Sequence, residues 1–390
     1  MKYTYHLFLL ALAMLLGACD IANNKIEPGT VFSKIYENNN FDQGFFVQDI
    51  KQNPDGTYLI LGEYTSPDAL LPLVYLMQID AEGNFMWEHL STEYANPVSE
   101  MMLINGEYHF VCMNATNPQT RLVRAAQEPS LVESFDQIEI PLAAALTNDG
   151  RVIVSGFNPL SRSTRVFLQG EGSAWVFDNF EDVDGIVNEH LTKQRKPLPF
   201  AVGSLPNGYF FNGFRNFNLS LNFLDNSGTR TGTINGERYN AAISAFLPLE
   251  GNRAAVARYN SAGLTSFNAA AVFNATADIS DPNSIIGNNL PELLPNARVV
   301  VKSAVLRQRP VVLYLSETRN GQLVLFIYDQ QSGILISNRY FGANNSFEAG
   351  GMTLTQDGGL AIVGRVFIAG RFPRICVFKL EKDDLERNIP

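Results

Sequence analysis

Gln356-Asp357-Gly358-Gly359-Leu360-Ala361-Ile362-Val363-Gly364 repeats, with small changes, a stretch near the start of the chain, Pro54-Asp55-Gly56-Thr57-Tyr58-Leu59-Ile60-Leu61-Gly62. Each is a tight Asp-Gly turn followed by a strongly apolar run that ends in glycine. Asp-Gly and Asn-Gly supply the positive φ angles of hairpin turns at low steric cost, so each copy reads as a turn launching a buried strand. Two more copies lie between them, Asn148-Asp149-Gly150-Arg151-Val152-Ile153-Val154-Ser155-Gly156 and Pro206-Asn207-Gly208-Tyr209-Phe210-Phe211-Asn212-Gly213. Weaker versions turn at Asn105-Gly106 and Glu250-Gly251, and one without glycine turns at Arg307-Gln308-Arg309.

The turn glycines at 56, 106, 150, 208, 251 and 358, with the variant near 308, set a period of about fifty residues. That period belongs to propeller blades and is longer than helical repeats of the 33–34-residue type. Many repeats carry a second turn, as in Asp80-Ala81-Glu82-Gly83, Asp225-Asn226-Ser227-Gly228 and Asp329-Gln330-Gln331-Ser332-Gly333. Two hairpins per repeat make four antiparallel strands. The expected fold is therefore all-β, a single seven-bladed β-propeller of four-stranded antiparallel blades. Continuous apolar runs, 27 Phe and 14 Tyr suit sheets covered on both faces.

The chain ends predict ring closure. Thr30–Tyr36 reads as an outer strand with no blade before it, and the last repeat has three good strands, the third being Arg374–Leu380. Pairing the two would complete the last blade and remove an exposed edge. The competing occupant of that position is Leu385–Asn388.

Before the repeats, Lys2, an apolar run from Leu7 to Leu16 and the small residues before Cys19 have the anatomy of a secretory leader. The apolar run is too short for a membrane span. Leu16-Gly17-Ala18-Cys19 resembles a bacterial lipobox. The resemblance implies that Cys19 receives a diacylglycerol and that the leader is cut before it; in that family the new amino terminus is often acylated. The expected organisation is a leader at 1–18, a lipidated tether at 19–29 and a propeller domain at 30–390. The expected location is the bacterial cell envelope, lipid-anchored, at the outer membrane.

The repeats also resemble those of exported bacterial propeller proteins, through the Asp-Gly-Gly turn and through Asp80-x-x-Gly83-Asn84-x-x-Trp87. Tyr328-Asp329-x-x-Ser332-Gly333 is similar to quinoprotein-type repeats, which occur in dehydrogenases and in a non-enzymatic lipoprotein propeller of outer-membrane assembly. The stretch occurs once, so the resemblance implies a fold and no cofactor.

Composition is 46% hydrophobic and 17% charged, which favours a packed body over disorder. Formal net charge is −10, and Lys193-Gln194-Arg195-Lys196 is the single basic cluster, so nucleic acid is excluded as a partner. Cys112 and Cys376 sit in apolar runs of different repeats and are expected as unpaired, buried thiols. No histidine pair among His89, His109 and His190 has metal-ligand spacing, and Asp178, Asp182 and Asp184 fail the EF-hand pattern, so no metal is expected. Segment 181–200 is irregular and reads as a solvated loop joining blades; the functional alternative is a loop at one mouth of the ring that meets a partner.

One further constellation places Asp42 and Glu348 just before inner strands, as candidate channel-mouth carboxylates. Two carboxylates can serve as acid and base in glycan cleavage. More commonly such groups cap turns. The leading functional expectation is a lipid-tethered, non-enzymatic binding or scaffold module with a protein or glycan partner. The alternatives are a polysaccharide-active hydrolase or lyase, and a subunit of an outer-membrane assembly or transport complex.

Overall fold

Twenty-seven strands among the described residues hydrogen-bond into six antiparallel sheets in the computed structural model. The structure describes residues 31–37, 43–179, 182–193, 197–216, 218–236, 242–368, 372–387 and 389. The leader, Cys19, the tether and Asp42 lie outside them.

Five sheets have four strands and one has seven. The seven-stranded sheet holds β2 (Phe45–Gln52), β3 (Tyr58–Tyr64), β4 (Leu73–Ile79), β5 (Phe85–Ile104), β6 (Glu107–Asn114), β7 (Thr120–Arg124) and β8 (Ser130–Phe135). The next holds β9 (Ile140–Leu146), β10 (Val152–Asn158), β11 (Ser163–Leu168) and β12 (Trp175–Asp178). After it come β13 (Ala201–Leu205), β14 (Gly208–Arg215), β15 (Asn218–Leu224) and β16 (Arg230–Ile234). Another is β17 (Ala242–Pro248), β18 (Arg253–Tyr259), β19 (Thr265–Val272) and the two-residue β20 (Asn288–Asn289). The fifth is β21 (Val300–Leu306), β22 (Arg309–Glu317), β23 (Leu323–Asp329) and β24 (Leu335–Phe341). The last sheet joins β25 (Ser346–Leu354), β26 (Leu360–Phe367) and β27 (Arg374–Leu380) to β1 (Phe32–Tyr36).

β9, β13, β17, β21 and β25 pack side by side in succession, and the seven-stranded sheet completes the circle, with β5 against β9 and β2 against β25. This is a β-propeller, with a channel along its axis. The expectation of seven separate four-stranded sheets is not met. The reason is β5, which runs unbroken for 20 residues, pairing with β4 through its first part and with β6 through its second.

Ring closure follows the sequence. Phe32 pairs with Lys379 and Tyr36 with Ile375, antiparallel, so the first strand completes the last sheet. Residues Lys382–Glu386 form a short helix and do not take the outer position. Cys112 on β6 and Cys376 on β27 are free and buried.

The middle strands β3, β10 and β23 are buried at every residue, as strands covered on both faces must be. Aromatic rings fill the gaps between sheets. Tyr314 stacks on Phe267 at 4.3 Å between centroids, and its hydroxyl donates to the carbonyls of Val256 and Asn268 in the neighbouring sheet. Burying one such ring stabilises by about 2–3 kcal/mol.

Three inner strands, β2, β17 and β25, share a device. Register slips between Val47 and Asp49, between Ile243 and Ala245, and between Ala349 and Gly351, so each bulges once. The glycines that end the apolar runs answer this. A Cβ on Gly62 would lie 2.5 Å from the Phe46 carbonyl oxygen, and one on Gly364 would lie 2.5 Å from that of Glu348. The turn without glycine keeps the same backbone at a cost: Arg307 and Gln308 take φ values of 46° and 62°.

Candidate functional site: a two-walled channel

The inner strands of one half of the ring carry no charge at all. They read Ile140-Pro-Leu-Ala-Ala-Ala-Leu146, Ala201-Val-Gly-Ser-Leu205 and Ala242-Ile-Ser-Ala-Phe-Leu-Pro248. The inner strands opposite carry Asp49 and Lys51, Glu100, Lys302 and Glu348. Between the two lies a cavity of about 1470 Å³. Its uncharged wall includes Leu142, Val202, Phe210, Phe246 and Tyr259.

The charged wall is a chain of ion pairs running from sheet to sheet. Lys51 on β2 lies 3.2 Å from Asp49 and 2.7 Å from Glu100 on β5, and Lys302 on β21 also reaches Glu100. The amide of Met101 donates to Asp49 at 2.8 Å. Burial pushes the Asp49 carboxyl up to about 6, although Lys51 opposes the shift. For Glu100 burial acts in the same sense, but Lys302 and Lys51 outweigh it and hold the carboxyl down at about 2. The Glu100 side chain is open to the channel.

Arg298, in the loop before β21, ties the wall to β2. Its guanidinium donates to the carbonyls of Val47 at 3.2 Å and Gln48 at 3.1 Å, within electrostatic reach of Glu317, Asp49, Glu63 and Glu100. Glu317 accepts from the Ala349 amide at 3.0 Å. Arg365 grips Glu348 through two nitrogens and lies over the Phe46 ring at 4.2 Å.

One mouth is capped. The segment expected as a solvated loop instead forms a helix, Asp184–Leu191, between β12 and β13. Val187, His190 and Leu191 are buried on its inner side, in a cluster with Phe214, Leu219 and Tyr259, and Leu71 from the far side of the mouth joins it. An apolar face at helical spacing overrides the polar look of Glu181–Asp184. His190 accepts the Leu198 amide proton on Nδ1 at 2.9 Å, and burial drives its pKa well below the ordinary value, so the ring is neutral. Beyond the helix, Lys193 reaches Glu63 at 3.3 Å and Asn96 at 3.4 Å.

The other mouth is open and apolar. Leu103, Leu146, Val305 and Leu354 sit at the far ends of inner strands and are exposed. Leu354 pairs with Leu360, Leu360 with Leu380, and the neighbouring Lys379 with Phe32. The chain therefore enters the ring on this same face.

Of the predicted candidates, Glu348 does line the channel, but paired with Arg365; Asp42 lies outside the described residues, as do Leu16, Gly17, Ala18 and Cys19. His109 is buried and its Nδ1 meets the Glu107 carbonyl at 3.0 Å. Among the described residues no three of His, Cys, Asp and Glu gather as a metal site. Sequence reasoning missed Asp49, Glu63, Glu100, Arg298 and Lys302. The available signal was the contrast between charged and uncharged inner strands.

No family model and no curated protein sequence matches the chain. Solved structures resemble it in shape, among them three at identities of 12% or less. The streptogramin B lyase structure has a TM-score of 0.48 and 12% identity, over 89% of this chain and 97% of that one. The Dos1 propeller gives 0.45 and 9%, over 85% and 77%. A mutant of AofleA from Arthrobotrys oligospora gives 0.44 and 7%, over 90% and 88%. Identities this low carry no chemistry across.

Proposed function

We propose that this chain is a seven-bladed, lipid-anchored propeller serving as a non-enzymatic binding or scaffold module at the outer membrane of a bacterial cell envelope. In this reading the seven-stranded sheet is two blades that share β5, which is the outer strand of β2–β5 and the inner strand of β5–β8. The positive φ values of Asn96 and Ser99 mark where the strand passes from one blade to the next. The lipobox-like Leu16-Gly17-Ala18-Cys19 supports the anchor.

The observation that carries the non-enzymatic reading is the pairing within the charged wall. Asp49, Glu63, Glu100 and Glu348 each face a Lys or Arg from their own or another blade. These side chains hold blades together, and each of these four carboxylates has a cation against it instead of standing free as an acid or base. The apolar rim gives weight to a second reading, a subunit of a larger envelope complex. It lies on the face where β1 enters, so an anchored ring turns it toward the membrane.

Cys19→Ser tests the anchor: the wild type should partition into membranes with a mass raised by acyl chains, and the variant should do neither. Membrane retention of the variant would remove the anchor. Release of reducing ends from polysaccharides, abolished by Glu348→Gln, would replace the binding module with the hydrolase.

A further inference from the structure

We infer that the channel binds an amphiphile with a hydroxyl-bearing head and an apolar tail, the chemistry of a glycolipid. This deepens the binding-module reading and rests on it.

The head site is built beneath the cap. Asp49 and Glu63 are 1% and 2% exposed, and each has one buried carboxylate oxygen with no protein partner. Asn96, 1% exposed, has a buried amide nitrogen in the same state, and so has the Ser244 hydroxyl across the channel. All four residues line the cavity. Buried polar groups are normally hydrogen-bonded, and leaving one unmade is costly. Two acceptors, a donor and a hydroxyl stand unpartnered on residues that line one space, and a small side-chain turn toward it would offer them to a group that both donates and accepts, as sugar hydroxyls do. A cationic head fits less well, because the wall already balances its carboxylates with Lys51, Lys193, Arg298, Lys302 and Arg365. An anionic head would meet Glu63 and Asp49 first.

The tail site is the uncharged wall. It runs from Phe200 and Leu142 near the cap to Leu146 and Leu249, with no charge from β9, β13 or β17 along the way. Leu103 and Leu146 line the cavity and are also exposed at the open rim. Polar groups thus sit at the closed end and apolar surface leads out to the open one. The cavity has room for a sugar ring and an eight-carbon chain together.

The test uses the full chain carrying Cys19→Ser, so that purification needs no detergent. Calorimetric titration is done with n-octyl β-D-glucoside below its micelle concentration, with glucose and with n-octanoate. The glucoside should bind one to one, about tenfold or more tighter than either half alone. Asn96→Gly, which keeps the positive φ, should weaken it about tenfold. Leu146→Arg should weaken it from the exposed rim, where folding is not at stake. Equal, weak binding of all three probes would overturn the inference, as would an affinity that neither variant moves. Membrane anchoring through Cys19 is read separately, so loss of the channel inference leaves it standing.

Discussion

Lys193 and Glu63 meet at 3.3 Å across one mouth of the channel, joining the segment after the capping helix to the far end of β3. The side chains are 9% and 2% exposed, so the pair is shielded from water. Removing one member of such a pair leaves an uncompensated buried charge. Burial already pushes the Glu63 carboxyl toward its protonated form, with Lys193 opposing.

Lys193→Ala should therefore cost about 3 kcal/mol of stability, and Glu63→Gln less. The loss should be local. Hydrogen exchange of Asp184–Leu191 should rise well above wild type while β22 and β23 stay protected. Unchanged exchange in the helix would show that Lys193 does not hold the cap.

Asp49 gives the ring a pH dependence. Its folded carboxyl titrates at about 6, above the ordinary aspartate value near 4, because burial disfavours the charge. The folded state then holds the proton more tightly than the unfolded chain. The stabilisation from this group is fully present below about pH 4 and is lost as pH rises through 6. Asp49→Asn keeps an acceptor for the Met101 amide and lacks the titration. The melting temperature of the variant relative to wild type should rise between pH 4 and pH 7; a constant difference would sink the assignment.

The sequence made the ring legible and the site mostly illegible, for one physical reason. Turn glycines and continuous apolar runs act locally, and copies such as Gly56 and Gly358 reinforce one another. β1 could be read because a lone strand and a three-stranded repeat imply each other. The charged wall joins Asp49, Glu100 and Lys302, residues far apart in sequence that meet only because the ring closes. The capping helix was misread because its acidic first turn hides Val187 and Leu191. The β5 run was misread because Tyr94–Val98 carries no glycine turn to divide two blades.

The glycines that end the apolar runs make a steric prediction. Gly62→Ala places a methyl group 2.5 Å from the Phe46 carbonyl, at the bulge that faces the channel. It should destabilise by about 2–3 kcal/mol. Gly106→Ala meets nothing within 4 Å and suffers only from its φ of 84°, about 1 kcal/mol. Equal losses in chemical denaturation would show that the bulge relaxes freely.

Gln308 offers the opposite sign. It is exposed, with φ at 62°, in a turn that elsewhere uses glycine. Arg307 beside it is held by Glu386 and the Ile389 carbonyl, so the turn will keep its shape. Gln308→Gly should raise stability by up to about 1 kcal/mol. A lower melting temperature would mean that the strain is absent.

Closure by β1 can be read through a thiol. Ile35 lies opposite Cys376 on β27, and Cys376 is 1% exposed. The strand also grips the neighbouring sheet: the Tyr36 hydroxyl donates to the Gly83 carbonyl at 2.8 Å, Lys34 donates to Asn84 at 2.7 Å, and Phe32 meets the Tyr58 ring edge-on. Deleting residues 30–36 in the Cys19→Ser background would unpair the outer edge of β27 and open this junction. Maleimide should then label Cys376 rapidly, while Cys112, buried on β6, stays protected and serves as the internal control. The melting temperature should fall, and the truncated chain should aggregate through the freed edge. Deleting residues 20–28 alone should change neither reading. A truncation lacking 30–36 that melts like the full chain and keeps Cys376 unlabelled would show that the ring closes without its first strand.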